Sequence, residues 1–200
     1  LNKKIGAYGA RLGYFTVGDN RYYGIPSKGY VVRGTYSTST LLIVADDDGV
    51  ILSGSAIGAK VVAAAHSQVG CDYTYEGSAY YPGVAFNCSG LTWWAYSQAG
   101  ANISHNQGYY SYYTGSANKK DSQMWQVYGK GNWTTDIKKL NPGDLVFFTP
   151  MDVTKDRVYY TGHVGIYIGN GKMIDANTDG VKIRDVKRDT FVGGGSPLSA

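Results

Sequence analysis

A cysteine and a histidine are the residues of this chain best suited to chemistry. Cys88 stands in the run NCSGL at 87–91, directly ahead of a helical stretch, and His163 opens a strand-like run. With two Cys and three His in 200 residues, few other pairs compete. The first turn of a helix stabilises a thiolate, and an adjacent imidazole activates it to attack a carbonyl carbon. The pair therefore predicts the covalent chemistry of a cysteine hydrolase.

A histidine base needs a polar partner for its second ring nitrogen. If the Gly-Asn-Gly run at 169–171 is a three-residue hairpin loop, His163 faces Asn177 across the two strands. Asp175 then lies one diagonal step away on the same face. Both side chains are within reach of the imidazole, and the register alone leaves the choice between them open.

Other chemistry has less support. Zinc would need three or four ligands from the Cys and His residues, whose spacing matches no paired ligand motif, so we expect no metal and no cofactor. The Asp run at 46–48 lacks the alternating carboxylates of a calcium loop. A disulfide between Cys71 and Cys88 would silence the thiol, and we expect Cys88 to be free. His66 lies near a helix C-terminus, which indicates a structural role.

Composition limits the class of protein. A hydrophobic content of 43% and a charged content of 17% predict a folded chain with a core, and no apolar run is long enough to span a membrane. The net charge is +4 with scattered Lys and Arg, so we expect no nucleic-acid binding. A mildly basic protein suits an anionic surface such as a bacterial wall. The chain begins at Leu1, and we expect a processed protein or a segment of a longer one.

The first 54 residues predict a β-rich segment or small module. Two hairpins are indicated, one around Gly-Asp-Asn at 18–20 and one around Asp-Asp-Asp-Gly at 46–49. An SH3-like module is one interpretation. We therefore divide the chain into an N-terminal segment at 1–54 and a second domain at 55–200.

The second domain predicts an α+β architecture, with helices first and an antiparallel sheet afterwards. One helix is expected at 56–69, with Ser53 or Ser55 as its N-cap, and a second at 88–99. A long polar and aromatic connection without regular elements follows at 101–135. Strands are expected at 145–148, 163–168, 172–176 and 180–186, and the glycine-rich run at 193–196 predicts a linker or frayed end.

The chain resembles the NlpC/P60 family of cell-wall cysteine peptidases over about residues 56–190. Five motifs carry the resemblance, in this order: VAAAHSQVG at 62–70, YTYEG at 73–77, NCSGL at 87–91, LNPGDLVFF at 140–148 and GHVGIYIGNG at 162–171. The resemblance implies a papain-like α+β domain. In that fold the nucleophile lies at a helix N-terminus packed on an antiparallel β-sheet that carries the base.

The resemblance also implies residue roles. Cys88 is the expected nucleophile and His163 the general base. Asp175 stands where the family usually has a third polar residue, a His, and a carboxylate can orient an imidazole equally well. Tyr73 matches the tyrosine that assists the oxyanion hole, with Tyr75 as the adjacent alternative.

The neighbours of the nucleophile are expected to bind the oxyanion or the substrate. These are Asn87 and Ser89. Asn87 replaces an Asp that is typical of the family and can contact a substrate amine, so this departure concerns specificity.

The implied activity is hydrolysis of a peptide bond in the stem peptide of bacterial peptidoglycan, of the D-γ-glutamyl-diamino acid type, through a thioester. Peptidoglycan stem peptides are the expected partner. We expect a monomer that is secreted or associated with the cell wall of a bacterium, with a Gram-positive source favoured. Two alternatives stay open: an amidase or acyltransferase of the same fold, and a wall-binding module with weakened catalysis.

Overall fold

The computed structural model describes residues 12–26, 28–38, 41–52, 56–77, 79–111, 116–118, 122–149, 159–160 and 162–198. The strands are β1 Gly13–Val17, β2 Asn20–Gly24, β3 Gly34–Ser37, β4 Leu42–Ala45, β5 Asp72–Tyr73, β6 Tyr80–Tyr81, β7 Ala85–Phe86, β8 Tyr109–Ser111, β9 Ser116–Asn118, β10 Leu145–Phe148, β11 Tyr159–Tyr160, β12 His163–Gly169, β13 Lys172–Asn177, β14 Gly180–Asp185 and β15 Phe191–Gly195. The α-helices are α1 Ile57–Ser67, α2 Cys88–Gln98 and α3 Gln123–Gly129, and a 3₁₀ turn covers Ile137–Lys139.

A five-stranded antiparallel sheet forms the centre of the molecule, in the order β14-β13-β12-β10-β15. Helices α1 and α2 pack against one another and against β12. This helix-covered face buries the alternate residues Val164 and Ile166 of β12 in the main core. The other face carries a smaller cluster that includes Phe148 and Tyr167. The predicted α+β class is confirmed.

The N-terminal part contains both expected hairpin turns. β1 pairs with β2, and β4 turns through 46–49 to a bridge between Ala45 and Ile51. Asp46 closes that turn because its Oδ1 accepts from the backbone N–H groups of Asp48 and Val50. This part has its own small buried cluster, in which Ile25, Val32, Ile43 and Ala45 pack together.

The N-terminal part contacts the main sheet at the turn between β12 and β13. The hydroxyl of Thr35 donates to the carbonyl of Ile168 over 3.1 Å, and the backbone N–H of Asn170 donates to Asp47 Oδ1 over 3.1 Å. These contacts lie at the end of β12 that is remote from His163.

Two segments for which the sequence predicts no helix or strand contain one in the structure. The connection at 101–135 contains α3, whose N-cap Ser122 accepts from the backbone N–H of Trp125 over 3.1 Å. The run at 193–195 is part of β15, which pairs with β10, so the linker prediction is wrong. Trp133 lies directly against Gly193, where an added Cβ would come within 2.4 Å of the indole.

Two local predictions also need correction. Helix α1 has Ala56 as its N-cap with no side-chain hydrogen bond, while Ser53 and Ser55 lie outside the described residues. The β12–β13 turn has two residues because Gly169 pairs with Lys172. A bulge then restores the expected register, in which Ile166 pairs with Ile174. In the part of the chain that is described, no helix is both long and apolar enough to cross a membrane.

Candidate active site

Cys88 is the first residue of helix α2, as expected. Its N-cap is Asn87, which has extended backbone angles and accepts from the backbone N–H of Gly90 over 2.8 Å. Both cysteines are free, so the thiol of Cys88 is not held in a disulfide. The residue is buried, with 7% of its surface exposed. The unpaired N–H groups and the dipole of the first turn stabilise negative charge at this position.

A loop crosses directly over that first turn. Asn87 Nδ2 donates to the carbonyl of Glu76 over 2.6 Å, and its backbone N–H donates to the carbonyl of Ala79 over 3.1 Å. A Cβ on Gly90 would lie 2.0 Å from the carbonyl oxygen of Ala79. Glycine is therefore required at 90 for the loop to approach the helix this closely.

His163 lies at the first residue of β12, where its imidazole reaches two partners. Its Nε2 is 2.5 Å from Asp175 Oδ2, and it interacts with the side chain of Cys88 strongly enough to shift its pKa. Burial alone would lower the pKa of His163, but the hydrogen bonds and charges of Asp175 and Cys88 outweigh it and raise the pKa to about 9. The histidine is therefore held as an imidazolium between Cys88 and Asp175 at neutral pH.

Asp175 is the residue that the structure places against His163. Its side chain has no solvent exposure, and it also pairs with Arg184. Asn177 is the other residue that the strand register allows, but its side-chain oxygen accepts from the backbone N–H of Thr178 over 2.8 Å. The geometry thus brings Cys88, His163 and Asp175 together and leaves Asn177 outside.

Tyr73 lies near Cys88, and Tyr75 is largely exposed. Tyr73 pairs with Phe86 in the parallel β5–β7 ladder, two residues before Cys88. Burial and then the charge of Cys88 raise the pKa of Tyr73, so its hydroxyl stays protonated and able to donate. Tyr75 packs edge-on against Tyr73 at 5.0 Å between ring centroids and is 82% exposed.

Asn87 and Ser89 are both buried next to the nucleophile, at 8% and 2% exposure. The amide of Asn87 is engaged at both ends, in the helix cap and in the loop above it. Ser89 Oγ is 3.5 Å from the same amide oxygen. These two residues therefore shape the first turn of α2, in addition to any contact that they make with a substrate.

Two polar residues near the site have no counterpart in the sequence prediction. Arg184 holds Asp175 from the neighbouring strand β14. The buried amide of Gln123 binds Thr92 Oγ1 over 2.8 Å and the carbonyl of Ser89 over 3.2 Å, which fastens α3 to α2. A clue to Arg184 exists in the sequence, since the alternation of β14 puts 180, 182 and 184 on one face.

No cluster of three or more metal-ligating side chains occurs among the described residues. The arrangement that is present supports nucleophilic attack by a thiolate and proton transfer by an imidazolium, and neither step requires a metal ion.

Comparison with known proteins identifies the family. The model of the NlpC/P60 family matches residues 70–192, more than half of the chain, and the chain belongs to this family. A protein of Mycobacterium tuberculosis named probable endopeptidase is 34% identical over 130 residues, which cover 65% of this chain and 26% of that protein. Probable endopeptidase p60 of Listeria grayi is 35% identical over 136 residues, 67% of this chain and 21% of that protein.

A third curated relative is the bifunctional muramidase/DL-endopeptidase CwlT of Bacillus subtilis, 33% identical over 118 residues, which cover 56% of this chain and 29% of that protein. The chain thus spans between a fifth and a third of the length of these relatives. Among solved structures, NlpC2 from Trichomonas vaginalis aligns with a TM-score of 0.52 at 21% identity, over 92% of this chain and 58% of that one. This likeness supports the fold.

Proposed function

We propose that this chain is a cysteine endopeptidase that cleaves the stem peptide of bacterial peptidoglycan. One observation carries the proposal: the thiol of Cys88, at the N-terminus of α2, interacts with a histidine that a buried Asp175 holds in place. Membership of the NlpC/P60 family and the endopeptidase names of the relatives support the substrate class.

Acylation begins at the sulfur. The thiolate of Cys88 attacks the carbonyl carbon of the scissile bond, and negative charge develops on the carbonyl oxygen. N–H groups of the first turn of α2 and the hydroxyl of Tyr73 are placed to stabilise that oxyanion. His163 then gives its proton to the leaving amine as the C–N bond breaks, which leaves a thioester on Cys88.

Deacylation uses the same residues in the reverse sense. The neutral His163 removes a proton from a water molecule, which attacks the thioester carbon. The C–S bond breaks, the new carboxylate leaves, and the thiolate–imidazolium pair is restored. Asp175 orients the imidazole in both half-reactions and stabilises its charged form.

The bond proposed is the one between D-γ-glutamate and the diamino acid of the stem peptide. The relative named muramidase/DL-endopeptidase supports a bond between D and L residues. Because the substrate lies in the wall, we further propose that the protein acts outside the cytoplasm, secreted or wall-associated, in a bacterium of Gram-positive type.

The N-terminal segment is proposed to be an accessory unit attached to the catalytic domain at 55–200. Its separate buried cluster and its contacts with the β12–β13 turn support this division. Those contacts lie at the end of β12 away from His163.

The test is digestion of two purified peptidoglycans, one with diaminopimelate and one with lysine in the stem. We expect mass spectrometry to find a new stem-peptide amine at a single bond in at least one of them, and Cys88→Ala to abolish it. Identical fragment profiles with the wild type and the Cys88→Ala variant would refute a cysteine peptidase and favour a wall-binding module. Cleavage at the sugar–peptide amide, or transfer to an added amine, would instead assign the amidase or acyltransferase alternative.

A further inference from the structure

Three charged side chains form a diagonal row across neighbouring strands of the sheet. β13 and β14 pair Asp175 with Lys182, so Arg184, two residues further along β14, lies one diagonal step from Asp175. The register between β12 and β13 puts His163 one diagonal step from Asp175 on the other side. Diagonal neighbours on one face are within reach of long side chains.

Asp175 divides its two carboxylate oxygens between the two cations. Oδ2 contacts Nε2 of His163 at 2.5 Å, and Oδ1 accepts from Nη1 of Arg184. The same Nη1 approaches the backbone carbonyl of Asp175 at 3.3 Å. The carboxylate therefore cannot turn toward or away from the imidazole without breaking its contact with the guanidinium.

The arginine is itself fixed on its outer side. Its Nη2 donates to Asp179 Oδ1 and approaches the carbonyl of Gly180 at 3.4 Å. Only 15% of the Arg184 side chain is exposed, while Asp179 is 57% exposed. A planar guanidinium that binds on two sides is pre-organised in a way that a lysine ammonium is not.

Without Arg184, one oxygen of a fully buried carboxylate would lose its cation. A buried carboxylate without full pairing is unfavourable, so it would rotate, admit water or draw more strongly on its remaining partner. That remaining partner is His163, the group proposed to move the proton in both half-reactions. The arginine therefore acts on the reaction through the carboxylate.

We propose that Arg184 is a positioning residue of the active site, which fixes Asp175 in the orientation that holds His163 against Cys88. The inference rests on the proposed function of this site. It makes the working unit a row of four side chains, from the thiol on α2 through β12 and β13 to the guanidinium on β14. Arg184 contacts no reacting atom in this arrangement.

A matched control stands next to it on the same strand. Lys182 lies directly opposite Asp175 and on the same face, yet its Nζ binds Asp179 at 2.8 Å. Lys182→Gln thus removes one positive charge from the same region without touching Asp175. Asp179→Asn removes the negative charge of the outer anchor of Arg184 and leaves the inner contact intact.

The experiment compares Arg184→Gln, Arg184→Lys, Asp179→Asn and Lys182→Gln in the full chain. The first readout is the rate of alkylation of Cys88 by iodoacetamide against pH, quantified by mass spectrometry of the peptide that contains Cys88. This readout needs no substrate, so it separates failure of this inference from failure of the proposed peptidase function. The second readout is kcat and KM on a defined stem peptide.

The groups that face His163 set the expected pH effect: the thiol of Cys88 from α2, with the hydroxyl of Tyr73 beside it, Asp175 from β13, and Arg184 behind Asp175. With Arg184→Gln, the positive charge behind the carboxylate is lost, and the imidazolium gains a stronger hold on its proton. The inflection in the alkylation profile at which the imidazolium loses its proton is then expected to move to higher pH. We also expect kcat to fall by about 10-fold or more, with little change in KM.

The other variants complete the pattern. Arg184→Lys is expected to recover part of kcat, Asp179→Asn to have a small effect, and Lys182→Gln to match the wild type. If Arg184→Gln had the wild-type alkylation profile against pH and the wild-type kcat, the proposal would be overturned. An equal loss in Lys182→Gln would also overturn it, since general surface charge would then be the cause. If Arg184→Gln does not fold, Arg184→Lys decides the question. A wild-type pH profile and wild-type kcat in Arg184→Lys would refute the proposal that a guanidinium bound on both sides is needed to position Asp175.

Discussion

Gly165 lies opposite Asp175 across the β12–β13 pair, and its missing side chain leaves the space that the buried carboxylate occupies. The register that pairs Ile166 with Ile174 brings the two residues face to face. A Cβ added to Gly165 would lie 3.2 Å from the Cβ of Asp175 and 2.9 Å from the sulfur of Met173. The glycine between His163 and Tyr167 is therefore a packing requirement of the site.

The first prediction concerns Gly165→Ala. The added methyl group should push Asp175 away from His163 and lower kcat about 10-fold or more, at a stability cost of about 1–3 kcal/mol from overpacking. Steady-state kinetics and urea denaturation measure the two effects. Gly77→Ala is the control, because a Cβ there meets no atom within 4 Å. Full activity in Gly165→Ala would show that the sheet accommodates the methyl group.

The second prediction concerns pH. His163 has a pKa of about 9 in the folded chain, against 6.5 for an unperturbed histidine, so unfolding releases its proton between those two pH values. Its contribution to the free energy of unfolding is then fully present below about 6.5 and is lost as pH rises through about 9. Activity should also fall as pH rises through about 9, because the leaving amine needs the proton that His163 then loses. Denaturation at several pH values, with His163→Gln as the reference that lacks the titrating group, measures the slope.

A third prediction concerns the helix cap. Asn87→Ala removes the acceptor for Gly90 and the donor to Glu76, and we expect the free energy of unfolding to fall by about 1–2 kcal/mol. Asn87→Ser keeps a capping oxygen and should lose less. Urea denaturation measures the free energy of unfolding of each variant. Equal values for all three proteins would show that the Asn87 side chain does not stabilise the helix.

The fourth prediction tests the oxyanion donor. Tyr73→Phe removes one hydroxyl beside the thiol, and the loss of a single oxyanion donor lowers kcat by about 100-fold in comparable sites. KM should change little, because the interaction forms in the transition state. Tyr75→Phe, at a residue that is 82% exposed, is the matched control. If the two variants lose activity equally, the hydroxyl of Tyr73 has no special place in the reaction.

Much of this site could be predicted from the sequence because it depends on short-range patterns. The N-terminal position of Cys88 follows from the helix that begins there, and the strand alternation puts His163 and Asp175 on one face. The resemblance to a known family then favoured Asp175 over Asn177. The geometry agrees, despite a turn one residue shorter than expected, because the bulge at 168 restores the register.

Arg184 is harder to predict because two cations alternate on β14. Lys182 is directly opposite Asp175, so sequence and register alone favour the wrong residue. Which of the two cations contacts Asp175 depends on side-chain length and on Asp179, whose carboxylate binds both Lys182 and Arg184. The strand at 193–195 escaped prediction for a related reason. Its glycines resemble a linker in isolation. Side chains are excluded there because an added Cβ would meet Trp133 at 193, the carbonyl of Leu145 at 194 and the carbonyl of Asn132 at 195.

The row of four side chains from Cys88 to Arg184 also has a regular alternation of positive and negative charge. In the proposed reactive state the four side chains alternate in charge from the nucleophile outward: the thiolate of Cys88, the imidazolium of His163, the carboxylate of Asp175 and the guanidinium of Arg184. Such a set has strong local fields and no net charge, so its potential decays quickly with distance. Long-range steering of a charged substrate is then weak. The bond-breaking step should accordingly be insensitive to ionic strength, and any salt dependence on intact wall would arise from binding elsewhere on this basic chain.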